Sequence, residues 1–207
     1  MVLSPTKIVC IGLNYRLHAL EQGKPIPEEP VIFLKALSAF HGESSPIVLP
    51  EESSEVHHEA ELVVVMGKRA KKVNAAEALD YVAGFTCGND VTARDLQRKD
   101  KRYTRAKGFD TFAPVLPRFV PLSEWIPGDQ AVICRVNGEE RQRGLVSDMI
   151  FSVGECIEYI SSIMTLEPGD LIFTGTPSGV GPIHDQDVVE VEVEGIGVLR
   201  NPVQRSS

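Results

Sequence analysis

Two glutamates, Glu59 and Glu61, open a run of strand-forming residues that continues to Gly67. Because successive side chains of a strand point to opposite faces, the two carboxylates share a face with Val63 and Val65. The pattern predicts one strand over residues 57–67 that begins in solvent and ends buried. Neighbouring carboxylates repel each other and resist desolvation unless a cation or a shared proton compensates. A metal ion is one explanation of the pair, and an exposed strand end with two solvated glutamates is the other.

Oxygen ligands favour a hard ion, so a metal at this pair is expected to be Mg²⁺ or Mn²⁺, with Ca²⁺ as a third candidate. Zinc sites usually include His or Cys ligands. The four cysteines show neither a zinc-ligand spacing nor a disulfide framework, and we expect reduced, mostly buried thiols. They are Cys10, Cys87, Cys134 and Cys156.

Two further features could contribute chemistry. His18 and Glu21 lie three residues apart on a predicted helix, so the glutamate could orient the histidine as a general base, although a lone helical histidine is more often structural. The glycine-rich segment 175–181 lacks the lysine of a P-loop. It could present backbone N–H groups and the Thr176 hydroxyl to a small anion such as a carboxylate, or it could be a plain tight turn.

The composition is that of a globular enzyme-sized chain. Its 207 residues are 43% apolar and 24% charged, which favours one domain spanning residues 1–207. The formal charge of −8 argues against a nucleic acid or an anionic membrane as the main partner. The N-terminus lacks a secretory pattern and no apolar run approaches the ~18 residues of a membrane span, so we expect a cytoplasmic protein.

The elements that would position these residues are mostly short strands. Strands and helices do not alternate in order, which predicts an α+β fold rather than a doubly wound sheet. The basic segment 98–108 predicts a solvated, mobile loop, except at Lys107. We predict strands over 7–13, 31–34, 47–49, 57–67, 85–90, 132–136, 171–174 and 188–193, and a hairpin turn at Asn137-Gly138. We predict helices over 14–23, over 75–81 with Asn74 as N-cap, from Asn89, Asp90 or Thr92 onward, and over 151–164.

Seven spaced stretches carry a resemblance to a known family. They are residues 12–15 with His18 and Glu21, 33–35, 57–62, 89–95, 106–110, 175–181 and 194–199. In this order the chain resembles the fumarylacetoacetate hydrolase family, in the short form of acylpyruvate hydrolases, oxaloacetate decarboxylases and the isomerase of homoprotocatechuate degradation.

The resemblance implies a role for each matching residue. Glu59, Glu61 and Asp90 match the carboxylates that hold Mg²⁺ or Mn²⁺ in the family. His18 and Glu21 match its water-activating pair, and Lys107 matches a lysine near the developing negative charge. The positions that contact the acidic groups of the substrate are matched by Arg94, Gln97 and Thr176.

The resemblance also implies a mixed, rolled β-sheet fold with short helices and a homodimer. The expected function is metal-dependent hydrolysis or decarboxylation of small 2-oxo acids, such as acylpyruvates and oxaloacetate, by C–C cleavage through an enolate stabilised by the ion. One alternative is a 2-hydroxyhepta-2,4-diene-1,7-dioate isomerase, and another is a non-catalytic protein that binds a metal or a carboxylate. Leu17 and Ala36 depart from the acidic residue and the proline that the family often has there, which puts the substrate in question more than the reaction class.

Overall fold

The computed structural model describes residues 3–206, and strands dominate this part of the chain. The strands are β1 (Ile8–Gly12), β2 (Val31–Lys35), β3 (Phe40–His41), β4 (Ile47–Leu49), β5 (Val56–His58), β6 (Ala60–Met66), β7 (Val82–Asn89), β8 (Thr92–Ala93), β9 (Ala113–Pro114), β10 (Val120–Pro121), β11 (Ala131–Val136), β12 (Glu139–Leu145), β13 (Leu171–Phe173), β14 (Gly181–Pro182), β15 (Val188–Val193) and β16 (Gly197–Arg205). The helices are α1 (Arg16–Glu21), α2 (Arg94–Asp100), α3 (Thr104–Lys107) and α4 (Val153–Ile163), and 3₁₀ turns cover Leu37–Ala39, Ala75–Tyr81 and Val146–Asp148.

The largest sheet has six strands in the order β10-β7-β6-β13-β1-β2. Its pairs are antiparallel except β1 with β13, which are parallel. A five-stranded sheet has the order β12-β11-β15-β16-β4, and two smaller sheets join β14-β5-β8 and β3-β9. The structure confirms an α+β fold in which the two larger sheets are mixed and the helices are few and short.

Strand β6 lies at the centre of the large sheet, and all seven of its residues are buried. Strands β11 and β15 of the five-stranded sheet pack against it. The prediction that this strand begins in solvent is therefore wrong, because both of its faces are covered. Its buried run continues a single hydrophobic core that includes Leu62, Val64 and Phe173.

The acidic segment is also not one continuous strand, since Glu59 separates β5 from β6. The backbone N–H of Glu59 donates to Asn89 Oδ1 at 2.8 Å, and its carbonyl accepts from Asp90 N at 2.9 Å. A side-chain acceptor therefore replaces one ladder bond, and the strand is interrupted there without leaving a buried N–H unpaired.

The segment 98–108 is solvated as predicted, with exposed basic side chains except at the buried Lys107, but the prediction of a loop is wrong because most of the segment is helical. Helix α2 continues to Asp100 and α3 covers Thr104–Lys107. Helix α2 begins at Arg94, later than the predicted starts at Asn89, Asp90 or Thr92. The Asn89 side chain instead accepts from Glu59 N at the strand break, and the Asp90 carboxylate forms ion pairs with buried lysines.

The predicted hairpin turn is confirmed. Asn137 and Gly138 both have positive φ angles of 53° and 81°, as a tight hairpin turn requires, and they join β11 to β12. The helix predicted over 151–164 is also present, as α4, and the structure adds a cap that was not predicted, since the Ser152 hydroxyl accepts from Glu155 N. The prediction of a helix over 75–81 capped by Asn74 is wrong, because these residues form a 3₁₀ turn and the Asn74 side chain makes no cap hydrogen bond.

The four cysteines agree with the expectation of buried thiols. Cys10, Cys87, Cys134 and Cys156 are buried free thiols. None of the helices that the structure describes is long and apolar enough to cross a membrane.

Candidate active site

Three buried carboxylates converge at one end of the large sheet. Glu59 lies in the break before β6, Glu61 is on β6, and Asp90 directly follows β7. Antiparallel pairing sets Ala60 opposite Asn89, which places these three residues side by side. One oxygen from each lies within 4.8 Å of the others, and the three residues are at most 4% exposed. Strand alternation predicted that Glu59 and Glu61 share a face, and the pairing of β6 with β7 brings Asp90 next to them.

Three buried cationic side chains contact two of these carboxylates. Lys107 Nζ lies 2.7 Å from Glu59 Oε2 and 2.5 Å from Asp90 Oδ2. Arg94 Nη2 contacts Glu59 Oε1 at 2.5 Å. Lys35 Nζ contacts Asp90 Oδ1 at 2.5 Å, an ion pair that the sequence did not predict. A lysine that ends the apolar strand 31–34 is the sequence signal that could have indicated it.

Glu61 differs from its two neighbours. It accepts a hydrogen bond from Gly175 N at 2.7 Å and, among the residues described, forms no ion pair with a cationic side chain. Burial, with the nearby charges of Asp90 and Glu59, raises the pKa of Glu61 well above its usual value. Burial also opposes ionisation of Glu59, but Lys107 and Arg94 outweigh it and hold the pKa of Glu59 well below its ordinary range.

The cluster fits a hard divalent cation. Its donors are carboxylate oxygens only, which is the set that Mg²⁺, Mn²⁺ and Ca²⁺ prefer. A cation beside Glu61 would provide the positive charge that this carboxylate lacks. The metal-ligand roles of Glu59, Glu61 and Asp90 stay a prediction that this geometry supports.

His18 and Glu21 form the predicted pair on α1. His18 Nδ1 lies 3.1 Å from Glu21 Oε2, and the other carboxylate oxygen of Glu21 accepts from Gly179 N at 2.9 Å. His18 is buried, whereas Glu21 is exposed. With Nδ1 directed to the carboxylate, Nε2 is the ring nitrogen left to exchange a proton with a ligand.

The glycine-rich segment 175–181 bonds to the protein's own carboxylates. Its N–H groups at Gly175 and Gly179 donate to Glu61 and Glu21, so these two donors are not free for a substrate anion, which was one of the two alternatives for this segment. The two glycines have φ angles of +103° and +97°, a region in which other side chains are strained. The Thr176 hydroxyl donates to the carbonyl of Ala60 at 2.9 Å.

A cavity of about 640 Å³ joins these groups. Every predicted site residue except Glu21 lines it, including Gln97, whose Oε1 accepts from Arg94 Nη1 at 2.7 Å. Leu17 is exposed and, like Ala36, does not line the cavity. Sequence reasoning missed several lining residues, namely Lys24, Phe33, Arg98, Lys101, Arg102 and Tyr103.

Comparisons with known proteins identify a matching family model and similar relatives. The family model for the fumarylacetoacetate (FAA) hydrolase C-terminal domain matches residues 7–204. Over 212 residues the chain is 44% identical to the mitochondrial oxaloacetate tautomerase FAHD2A of Bos taurus, covering 98% of this chain and 68% of that protein.

Two solved structures are similar over the whole chain. The 2-hydroxyhepta-2,4-diene-1,7-dioate isomerase of Mycobacterium marinum matches with a TM-score of 0.91 and 48% identity, covering 100% of this chain and 77% of the other. The fumarylpyruvate hydrolase of Pseudomonas aeruginosa, in complex with Mn²⁺ and pyruvate, matches with a TM-score of 0.93 and 32% identity, covering 100% and 92%.

Proposed function

Since the chain belongs to the fumarylacetoacetate hydrolase family, whose fold it has, we propose that it is a divalent-cation-dependent enzyme that cleaves C–C bonds of small 2-oxo acids. Acylpyruvates would be hydrolysed and oxaloacetate decarboxylated. One observation carries the proposal: the His18 imidazole, held by Glu21, opens onto the same cavity as the carboxylates Glu59, Glu61 and Asp90. A module that only binds a metal has no need of an oriented base beside it.

Glu59, Glu61 and Asp90 would hold Mg²⁺ or Mn²⁺. The bound cation would supply a Lewis acid that polarises a 2-oxo group and stabilises developing negative charge. The similar fumarylpyruvate hydrolase is in complex with Mn²⁺ and pyruvate, which supports a metal ion and a 2-oxo acid as ligands of this chain.

His18 would act as the general base in hydrolysis. Its Nε2 would take a proton from water that attacks the acyl carbonyl, while Glu21 keeps Nδ1 protonated and stabilises the charged ring. Cleavage of the C–C bond then gives a carboxylic acid and the enolate of the 2-oxo acid, which is protonated at carbon. Lys107, fixed between two carboxylates, would place its positive charge next to the reacting oxygens.

Substrate carboxylates would bind on the Arg94 side of the cavity. Both terminal nitrogens of Arg94 are engaged by Glu59 and Gln97, but its Nε is buried without a hydrogen-bond partner. Thr176 lines the same cavity, although its hydroxyl proton is taken by a backbone carbonyl. Farther along the lining, Lys101 and Arg102 pair with no carboxylate among the residues described, so we infer a preference for substrates with a second anionic group.

A second candidate is tautomerisation or isomerisation of a related 2-oxo acid or diene dicarboxylate. It is favoured because the tautomerase and isomerase relatives are more similar in sequence to this chain than the hydrolase is. In that reaction His18 would move a proton between substrate atoms and would activate no water.

The discriminating experiment compares two reactions on the same variant. Wild-type and His18→Ala proteins are assayed by NMR with acetylpyruvate and with oxaloacetate, each with Mn²⁺ or with EDTA, and His184→Ala serves as an exposed-histidine control. If His18 activates water, its loss should reduce acetylpyruvate cleavage by about 10²–10⁴-fold and oxaloacetate decarboxylation far less. Glu21→Gln should show the same order with smaller losses.

Other results would change the assignment. Equal losses in both reactions would mean that His18 acts on a shared proton-transfer step, and accelerated keto–enol exchange without cleavage would favour the second candidate. Absence of any Mn²⁺-dependent turnover would support the non-catalytic alternative.

From family resemblance we also propose a homodimer formed by single-domain chains. Light scattering coupled to size-exclusion chromatography tests the dimer, since a monomer mass at micromolar concentration would contradict it. A single cooperative unfolding transition is expected of one domain.

A further inference from the structure

Gln142 carries a buried side-chain amide, although most other residues of its strand, β12, are exposed. It is 1% exposed, whereas Arg141 and Arg143 on either side face solvent. All of its hydrogen bonds run to the segments that build the cavity, although Gln142 itself does not line it. The Gln142 side chain therefore lies outside the cavity and contacts the segments that form its wall.

Backbone partners define the orientation of this amide. Oε1 accepts from Ala60 N at 3.1 Å, and Nε2 donates to the Pro177 carbonyl at 2.8 Å. Since a peptide N–H only donates and a carbonyl only accepts, the reverse orientation would lose both bonds. Oε1 also faces His58 Nδ1 at 2.8 Å, so this nitrogen must carry the proton. Nε2 also donates to Thr176 Oγ1 at 2.7 Å, which leaves no hydrogen-bonding capacity unused.

The contacts of Gln142 lead along segment 175–181 to both halves of the site. Gly175 N donates to Glu61, at the carboxylate cluster, and Gly179 N donates to Glu21, behind His18. Between these two glycines, the two residues that Gln142 holds are Thr176 and Pro177.

Strand β12 also supports the segment by close packing. A Cβ on Gly179 would lie 2.2 Å from the Arg141 carbonyl oxygen, and one on Gly144 would lie 2.6 Å from Pro177 Cβ. The segment is thus pressed against the strand on both sides of Gln142, and the amide contributes the polar bonds in this contact.

We propose that Gln142 is a positioning residue that seats segment 175–181 on β12, so that Gly179 holds Glu21, and through it His18, in register with the carboxylate cluster. The structural part of this inference stands on the contacts alone, whereas its effect on catalysis rests on the proposed function. Gln142 acts through Glu21 and contacts no reacting atom.

The first test measures amide hydrogen exchange of Gly175 and Gly179 in the cation-free protein. Gln142→Met keeps the length without hydrogen bonds, and Gln142→Glu keeps Oε1 but turns a carboxylate oxygen toward the Pro177 carbonyl. Both should exchange at these glycines about tenfold faster or more than wild type, because a lost hydrogen bond eases local opening. Asn201→Leu is the matched control, since this buried amide donates to the carbonyls of Gly42 and Ser45, away from the cavity.

The second test is a double-mutant comparison with Glu21→Gln. If Gln142 acts through Glu21, the double variant should lose no more kcat than the more severe single variant, with KM changed less than kcat. Additive losses, or unchanged Gly179 exchange in a folded Gln142→Glu protein, would overturn the inference. If the Gln142 variants exchange faster but the wild-type protein turns over none of the substrates, the proposed function is refuted. The structural role of Gln142 in holding segment 175–181 would still stand.

Discussion

Glu61→Gln should stabilise the cation-free protein and remove its stabilisation by a divalent cation. The amide keeps the size of the side chain and an oxygen that can accept from Gly175 N. It removes one negative charge from a buried cluster in which an oxygen from each of three carboxylates lies within 4.8 Å of the others. The same change removes an anionic ligand for a metal ion.

The two effects have opposite signs, and the lost stabilisation by the cation is the larger one. At an effective dielectric constant near 20, two charges at this separation repel by about 3 kcal/mol, and attraction to Lys107 offsets much of that. A net gain on the order of 1 kcal/mol raises the Tm by about 2–4 °C in a chain of this size. Wild type at 100 times the Kd of Mn²⁺ should gain about 2.7 kcal/mol, or roughly 5–10 °C.

The gain should depend on pH in a defined direction. Burial and the charges of Asp90 and Glu59 raise the pKa of Glu61 above 4.5, so the folded state binds this proton more tightly than the unfolded chain. Its contribution to stability is present below pH 4.5 and is lost as pH rises through the folded pKa. The stability advantage of the glutamine variant should therefore widen from pH 5 to pH 8.

Thermal unfolding in EDTA and in Mn²⁺, with exposed Glu51→Gln as the charge control, measures both effects. Comparison at each pH cancels the contributions of histidines that titrate in the same range. A variant with the full Mn²⁺ shift of wild type would refute the assignment of Glu61 as a cation ligand. An advantage in EDTA that does not grow with pH would contradict the raised pKa of Glu61.

Three other substitutions test the surrounding structure. Lys107→Met removes the ammonium that contacts Glu59 and Asp90, so we expect a loss of about 3–5 kcal/mol in EDTA by urea unfolding. Calorimetry should show tighter Mn²⁺ binding by this variant, and weaker binding would contradict a metal between these carboxylates. Burial opposes ionisation of Asp170, but hydrogen bonds from backbone N–H groups and from the Lys7 ammonium lower its pKa. Asp170→Asn should cost about 1–3 kcal/mol at pH 7, and this loss should shrink as pH falls from 3.8 through the lowered folded pKa, which acid unfolding can follow. Ser152→Ala removes the cap of α4 and should lower Tm by about 2–4 °C, whereas an unchanged Tm would show that the cap contributes nothing.

Local pattern was enough for the features that depend on near neighbours in sequence. The common orientation of Glu59 and Glu61 follows from strand alternation, and the contact of His18 with Glu21 follows from helical spacing. The Asn137-Gly138 hairpin follows from the positive φ angles that its turn demands. The family resemblance then added Asp90 and Lys107 as expected partners, and the structure brings them to the same cavity.

Tertiary structure decided burial, charge pairing and the use of the glycine-rich segment. Alternation could not show that the five-stranded sheet covers β6, so it predicted a solvated start where the carboxylates are buried. It also could not assign Lys35 to Asp90 or Gln142 to segment 175–181, because each pair joins elements that are distant in sequence. Such contacts depend on strand order and register across the whole sheet, which no short stretch of sequence encodes.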